Sequence, residues 1–285
     1  LGSGVAETGR LNPEGRRRAL AALRRFALLA EGMDIAPLTG VATAAVREAE
    51  DGPEFLDEVR RETGLRLWVA SGEEEARLSA QGVLLGWPGA RGLVCDIGGS
   101  SMELAELSGG EVDRCLTSPL GPLRLESLKG GKKGLKRHVS GVVDGLSTRL
   151  DGDYGTLFLV GGSWRAIARI DMERRGYPLK VLHEYRMTPR DVRDTVKWIP
   201  EHDIEHLRAR TGTSAERMRL VPIAAQVLKV LLRKFAPKRI ALSSYGIREG
   251  LLYEQMPDKL RRRDPLIEAA HFVEASSARM PGFGK

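Results

Sequence analysis

Cysteine is nearly absent from this chain of 285 residues: Cys95 and Cys115 are the two. Two cysteines in a chain this long make no disulfide framework, so a reducing cytoplasm is the expected compartment. Aromatic residues are also few, at 5%, which excludes an extensive base-stacking platform. No apolar run is long enough to cross a bilayer, and no secretory leader pattern is visible. No Gly-Lys-Ser/Thr phosphate loop occurs, and no Ser-His-Asp order can be defended. Among the five histidines, His202 and His206 stand four apart. They lack a third ligand nearby and read as a surface helix feature.

Charge is what the chain has in excess. The net charge is +7 and the isoelectric point about 9.6. A polyanionic partner follows: nucleic acid, inorganic polyphosphate or a highly phosphorylated nucleotide. The plainer alternative is a surface kept soluble. Apolar residues make up 42% of a length that suits two domains of ordinary size.

The most informative stretch is Leu93-Val94-Cys95-Asp96-Ile97-Gly98-Gly99-Ser100-Ser101-Met102-Glu103-Leu104. A four-residue bend over 98–101 places Ile97 opposite Met102, Asp96 opposite Glu103 and Cys95 opposite Leu104. One face is then apolar, and the other carries two carboxylates beside a bend of glycines and serines. A slip of one residue would mix the faces. Glycines let backbone N–H groups approach an anion, and serines add donors. Two carboxylates beside such a bend suit a hydrated Mg²⁺ shared with a substrate phosphate. An ordinary hairpin with a glycine-rich turn fits the same residues.

The remaining segments alternate between helix and strand patterns. Residues 16–30 form an amphipathic helix whose arginines read as a solvated face. Residues 35–41 read as a strand, Gly52–Thr63 as a helix and 65–69 as a strand. Ser71 and Glu74 make a capping box. The three glutamates 73–75 either serve the helix dipole or send one carboxylate into a cleft. Residues 129–138 are a basic, flexible loop before a helix over 139–150. Residues 157–160 form a strand that ends in Gly161-Gly162-Ser163, a second anion cradle or a tight turn. Residues 221–235 form a core helix. A third strand, 239–242, precedes a small-residue turn and Arg248, which suits either a phosphate contact or a structural ion pair.

Three motifs follow in order: Ser71-Gly72-Glu73-Glu74-Glu75-Ala76-Arg77-Leu78, the stretch 94–104, and Tyr245-Gly246-Ile247-Arg248-Glu249-Gly250. Together they resemble the bacterial exopolyphosphatase / guanosine pentaphosphate phosphohydrolase family over nearly the whole chain. Residues 43–47 resemble its Thr-x-x-x-Arg segment, and Glu216-Arg217 another. The resemblance implies an α/β, actin-like (RNase H-like) fold with two lobes around a cleft. Residues 1–78 would be the remainder of the first lobe and 79–256 the second. Residues 257–285 would be a linker and the start of a C-terminal helical region.

The resemblance implies a metal-dependent hydrolase that releases terminal phosphate from inorganic polyphosphate, guanosine pentaphosphate or both. A sensor that binds alarmone nucleotides or polyphosphate without hydrolysis is the alternative, and an actin-like kinase a third. Glu75 would be catalytic. Gly98, Gly99, Ser100, Arg47 and Arg217 would contact phosphate, and Asp96 and Glu103 would hold Mg²⁺ or another divalent cation. A homodimer is expected and no membrane partner. Nucleic acid has charge alone in its favour.

The sequence departs from the family in three places. Ser100 replaces a third glycine, which is tolerable if that position avoids positive φ. Arg219 replaces a usual Asp. The family's opening Asp-x-Gly-Ser-Asn phosphate hairpin has no counterpart, since Leu1 corresponds to a point after it. The sequence is therefore expected to be a fragment, or the ordered portion, of a longer protein.

Overall fold

A computed structural model describes residues 1–282 apart from Pro37, Asp151, Ala278 and Pro281. The last three residues of the expected C-terminal region lie outside the described residues. The first lobe is built on a parallel pair, β1 (Gly40–Ala42) and β2 (Leu67–Val69). The strand expected over 35–41 is shorter and later, because pairing begins where Gly40 meets Leu67. Helices Pro13–Gly32 and Gly52–Thr63 pack beside this pair around Leu20, Phe55 and Val59. The arginines of the first helix are not simply solvated. Arg16 bonds Glu58 at 2.7 Å and Glu54 at 2.8 Å, tying the two helices together.

Among the described residues the second lobe holds six strands: β3 (Gly92–Ile97), β4 (Met102–Ser108), β5 (Glu111–Ser118), β6 (Thr156–Val160), β7 (Arg186–Met187) and β8 (Arg239–Ser243). Their order is β5-β4-β3-β6-β8-β7. An antiparallel meander β5-β4-β3 continues into parallel β3-β6-β8. That sheet is RNase H-like, and two lobes around a cleft make the architecture actin-like. No helix among the described residues is long and apolar enough to cross a membrane.

The hairpin has the register that alternation predicts: Ile97 pairs with Met102, Asp96 with Glu103 and Cys95 with Leu104. Leu93, Cys95, Ile97, Met102 and Leu104 enter the main core with helices Gly162–Arg174 and Ala215–Phe235. Val94 and Ala105, on the opposite face, pack with Ala76, Ala80, Val83 and Leu84 of helix Gly72–Gly86. The carboxylate face of the hairpin is therefore the face that this helix covers.

Helix Gly72–Gly86 runs through the expected 78/79 boundary and packs on the second lobe's sheet. Glycines allow its close crossing with helix Ile247–Gln255. A methyl group at Gly82 would collide with the Gly246 carbonyl oxygen, and one at Gly250 with that of Leu78.

Helices begin earlier than their composition implies. The basic run 129–138 is not a loop: helix Gly131–Ser147 starts within it. Leu135, Val139, Val143 and Leu146 share a face against the main core, and that burial outweighs the local glycines and lysines. Likewise, helix Ala215–Phe235 starts ahead of its apolar stretch, with Ser214 as its cap. The edge strand β5 lacks a clear hydropathy signal because most of its side chains are exposed or half-buried.

Candidate active site

The capping box assigns the three glutamates different tasks. Glu74 accepts the Ser71 N–H at 2.7 Å, while the Glu74 N–H donates to Ser71 Oγ at 3.1 Å. Glu73 is exposed. Glu75 turns inward and is 4% exposed. Ser79, one turn later on the same helical face, donates to Asp96 Oδ2. The face that carries Glu75 thus looks onto the two hairpin carboxylates.

Gly72 lets the helix start come close to β5, since a methyl group there would collide with Thr117. Thr117 stands opposite Glu103 in the sheet and donates to Glu103 Oε1 at 3.1 Å. Glu103 is itself 3% exposed. From the first lobe, Arg47 donates to the Glu75 carboxylate and, at 2.6 Å, to the Ala70 carbonyl oxygen. The Ala44 backbone N–H also favours the charged form of Glu75.

The three carboxyl groups sit close enough to act on one another. Burial raises the Glu75 pKa against the lowering effect of Arg47, and Asp96 raises it further. Burial also raises the Asp96 pKa, while the Ser79 bond and the Arg165 charge lower it. Glu103 is pushed up to about 8 by burial and then by Asp96, with Glu75 adding to the rise. Asp96 keeps part of its surface open to solvent.

Above Asp96 the bend closes with Gly98 N–H donating to the Ser101 carbonyl oxygen at 3.0 Å. Gly98 and Gly99 are exposed, whereas Ser100 is 7% exposed and lies beneath Gly121. Ser100 avoids positive φ, so a side chain is tolerated at that position. A cleft of about 670 Å³ brings together Gly98, Gly99, Gly162, Ser163 and Arg217 with Asn12 and Arg18 of the first lobe. Arg217 lies over Gly162, where a methyl group would stand 2.7 Å from its Nε. A second cavity, of about 800 Å³ beside Arg77 and Tyr253, contains none of the expected site residues.

The expected residues therefore fall into two adjoining groups. Gly98, Gly99 and Arg217 line the cleft. The buried Glu75 and Glu103 and the half-buried Asp96 and Arg47 form a cluster next to it. Ser100 is withheld from the cleft surface, and the Gly98 N–H is already used within the bend. Sequence reasoning missed Ser79, Thr117 and Arg165. Helical spacing from Glu75 points to Ser79, and β4–β5 pairing would have pointed to Thr117 had β5 been legible.

Among the described residues, no group of three or more His, Cys, Asp or Glu side chains is placed to hold a metal alone. A pair of carboxylates, crowded enough to favour protonation of Glu103, still fits a cation that takes its other ligands from water and substrate.

The chain is similar to exopolyphosphatase 1 of Mycobacterium bovis, with 27% identity over 293 residues, covering 97% of this chain and 82% of that protein. It is 27% identical over 274 residues to the guanosine-5'-triphosphate,3'-diphosphate pyrophosphatase of Vibrio parahaemolyticus, covering 93% of this chain and 54% of that one. The crystal structure of an exopolyphosphatase from Cytophaga hutchinsonii superposes with a TM-score of 0.81 at 21% identity, over 90% of this chain and 86% of that chain. With the model of the Ppx/GppA phosphatase family matching residues 1–259, the chain belongs to that family.

Proposed function

We propose that the chain hydrolyses the terminal phosphoanhydride bond of inorganic polyphosphate, guanosine pentaphosphate or both. The observation that carries this reading is the placement of Glu75. It is a buried carboxylate on the helix face that covers Asp96 and Glu103, next to a cleft lined by Gly98, Gly99 and Arg217. The names of the similar proteins support the same substrates.

In this reading Glu75 accepts a proton from a water held in line with the scissile P–O bond. The water oxygen forms the new P–O bond, and the shortened phosphate chain leaves with the electron pair of the old one. Asp96 and Glu103 would hold a divalent cation such as Mg²⁺, which when bound draws charge from the phosphoryl oxygens. The Gly99 N–H, with no partner among the described residues, is available to the substrate phosphate. Arg217 holds the substrate by charge-assisted hydrogen bonds. Burial of Glu75 keeps bulk water away from the base.

The test compares orthophosphate release from polyphosphate and from guanosine pentaphosphate, with Glu75→Gln as control. Release from at least one substrate is expected, with a loss of about 10²–10⁴-fold in the variant. Tight binding without release by the unmodified chain would instead favour a sensor.

A further inference from the structure

The parallel strands bring three turns to one edge of the sheet. Asp96 pairs with Val160, and Val160 with Ser243, so the chain leaves β3, β6 and β8 side by side. Ligands of open α/β sheets gather at such carboxyl ends. Arg165 stands in the first turn of the helix that follows β6, and Arg169 one turn later. Arg248 is in the first turn of the helix after β8. Arg217 reaches over Gly162 from the start of a third helix.

Asp96 is, among the described residues, the one carboxylate whose charge reaches Arg165, and it opposes three neighbouring guanidinium groups. Among the described residues, Arg165, Arg169 and Arg217 make no ion pair within 4.0 Å, and Arg248 reaches Glu249 only at 4.0 Å. Arg16, Arg174 and Arg219 are ion-paired, and what sets the present four apart is their gathering at the ends of adjacent strands. Arg165 is half-buried, and burial first, then the charges of Arg217, Arg169 and Arg248, make its protonated state less favourable, against the opposing charge of Asp96. Folding gains nothing from gathering like charges, whereas a multiply charged phosphate gains a great deal.

We propose that Arg165, Arg169, Arg217 and Arg248 form a second phosphate position beside the Gly98–Gly99 bend, which holds the non-scissile phosphates of the substrate. The inference rests on the phosphoanhydride-hydrolase reading for the word substrate, and on the arginine geometry for the site. The shared ligand chemistry is a run of phosphates, supplied either by a polyphosphate chain or by the second diphosphate of guanosine pentaphosphate. The site makes the chain selective for anions that extend beyond the phosphate being released.

The test uses the full chain, Arg165→Gln, Arg169→Gln and Arg165→Lys. Calorimetric binding is measured for orthophosphate, inorganic tripolyphosphate and guanosine pentaphosphate, and thermal unfolding is followed without ligand. Each glutamine variant is expected to lose at least about tenfold in affinity for tripolyphosphate, guanosine pentaphosphate or both, with orthophosphate affinity changed less than about twofold. Loss in one arm alone names the source of the phosphates. Arg165→Lys should recover part of the loss. For Arg169→Gln the ligand-free midpoint should stay level or rise, because a repulsion has been relieved; a structural arginine would lower it. Unchanged affinity in both extended-phosphate arms for both glutamine variants overturns the proposal even if hydrolysis is intact. If the unmodified chain binds extended phosphates through these arginines without releasing phosphate, the hydrolase reading fails and the site stands.

Discussion

Arg47 of the first lobe is hydrogen-bonded to the buried carboxylate of Glu75 and, through the same nitrogen, to the carbonyl oxygen of Ala70. Burial raises the Glu75 pKa, and the guanidinium works against that rise. Arg47→Ala removes the lowering influence and leaves the burial, so the pKa of Glu75 moves further up. A general base works only when deprotonated. The acid limb of the kcat/KM profile therefore shifts to higher pH, and the deficit is larger near neutrality than in mild alkali. A parallel drop at every pH would show that Arg47 acts on substrate alone.

Glu103 gives a stability prediction that needs no substrate. Its folded-state pKa is about 8 against an ordinary 4.5. Between those values the folded chain holds a proton that the unfolded chain has released. Stability is thus fully present below the lower value and falls as pH rises toward the higher one. Thermal unfolding in chelator should show a midpoint that declines across this window, and Glu103→Gln should flatten the decline. Added Mg²⁺ should offset it, since a cation binds the carboxylate and displaces the proton.

The glycine crossing is a packing prediction. Gly250→Ala drives a methyl group into the Leu78 carbonyl, and Gly82→Ala into that of Gly246. Each substitution should cost about 3 kcal/mol, at the upper end of ordinary overpacking. Denaturant melts of the two variants measure the cost directly. Gly64→Ala on the first lobe meets no neighbouring atom but sits at positive φ, so a smaller loss there separates backbone strain from collision.

Gly98 separates stability from binding. A methyl group there comes no nearer than 3.5 Å to the Ser101 carbonyl oxygen, and the backbone avoids positive φ. Gly98→Ala should unfold at the unmodified midpoint within experimental scatter. The same methyl group sits on the cleft lining, so KM for polyphosphate should rise several-fold while kcat changes less. A fall in the midpoint matching the loss of binding would mean that the bend, rather than the bound phosphate, needs this glycine.

What could be read from the sequence followed strict local rules. The β3–β4 register was legible because period-two alternation leaves a single pairing that buries Cys95 and Met102 on one side. The cap at Ser71 was legible because it lies within three residues. The helical start at Gly131 was not, since it depends on burying Leu135 and Val139 against distant helices. The inward turn of Glu75 could not be separated by spacing from Glu73 and Glu74. The family motif singled it out, and only the covering of Asp96 by the Ser79 face gives a physical reason. The gathering of Arg165, Arg217 and Arg248 stayed invisible because sheet order brings together residues far apart in the chain.

The close crossing at Gly82 and Gly250 makes Glu75 a fixture of the second lobe, although its strongest partner, Arg47, belongs to the first. A hinge movement between the lobes would carry the guanidinium away and leave the carboxylate where it is. The same movement would admit water to Glu75, and burial is the larger cause of its raised pKa. The unusual proton affinity of this carboxyl is therefore a property of the shut jaw, and it relaxes toward that of an ordinary glutamate when the jaw gapes.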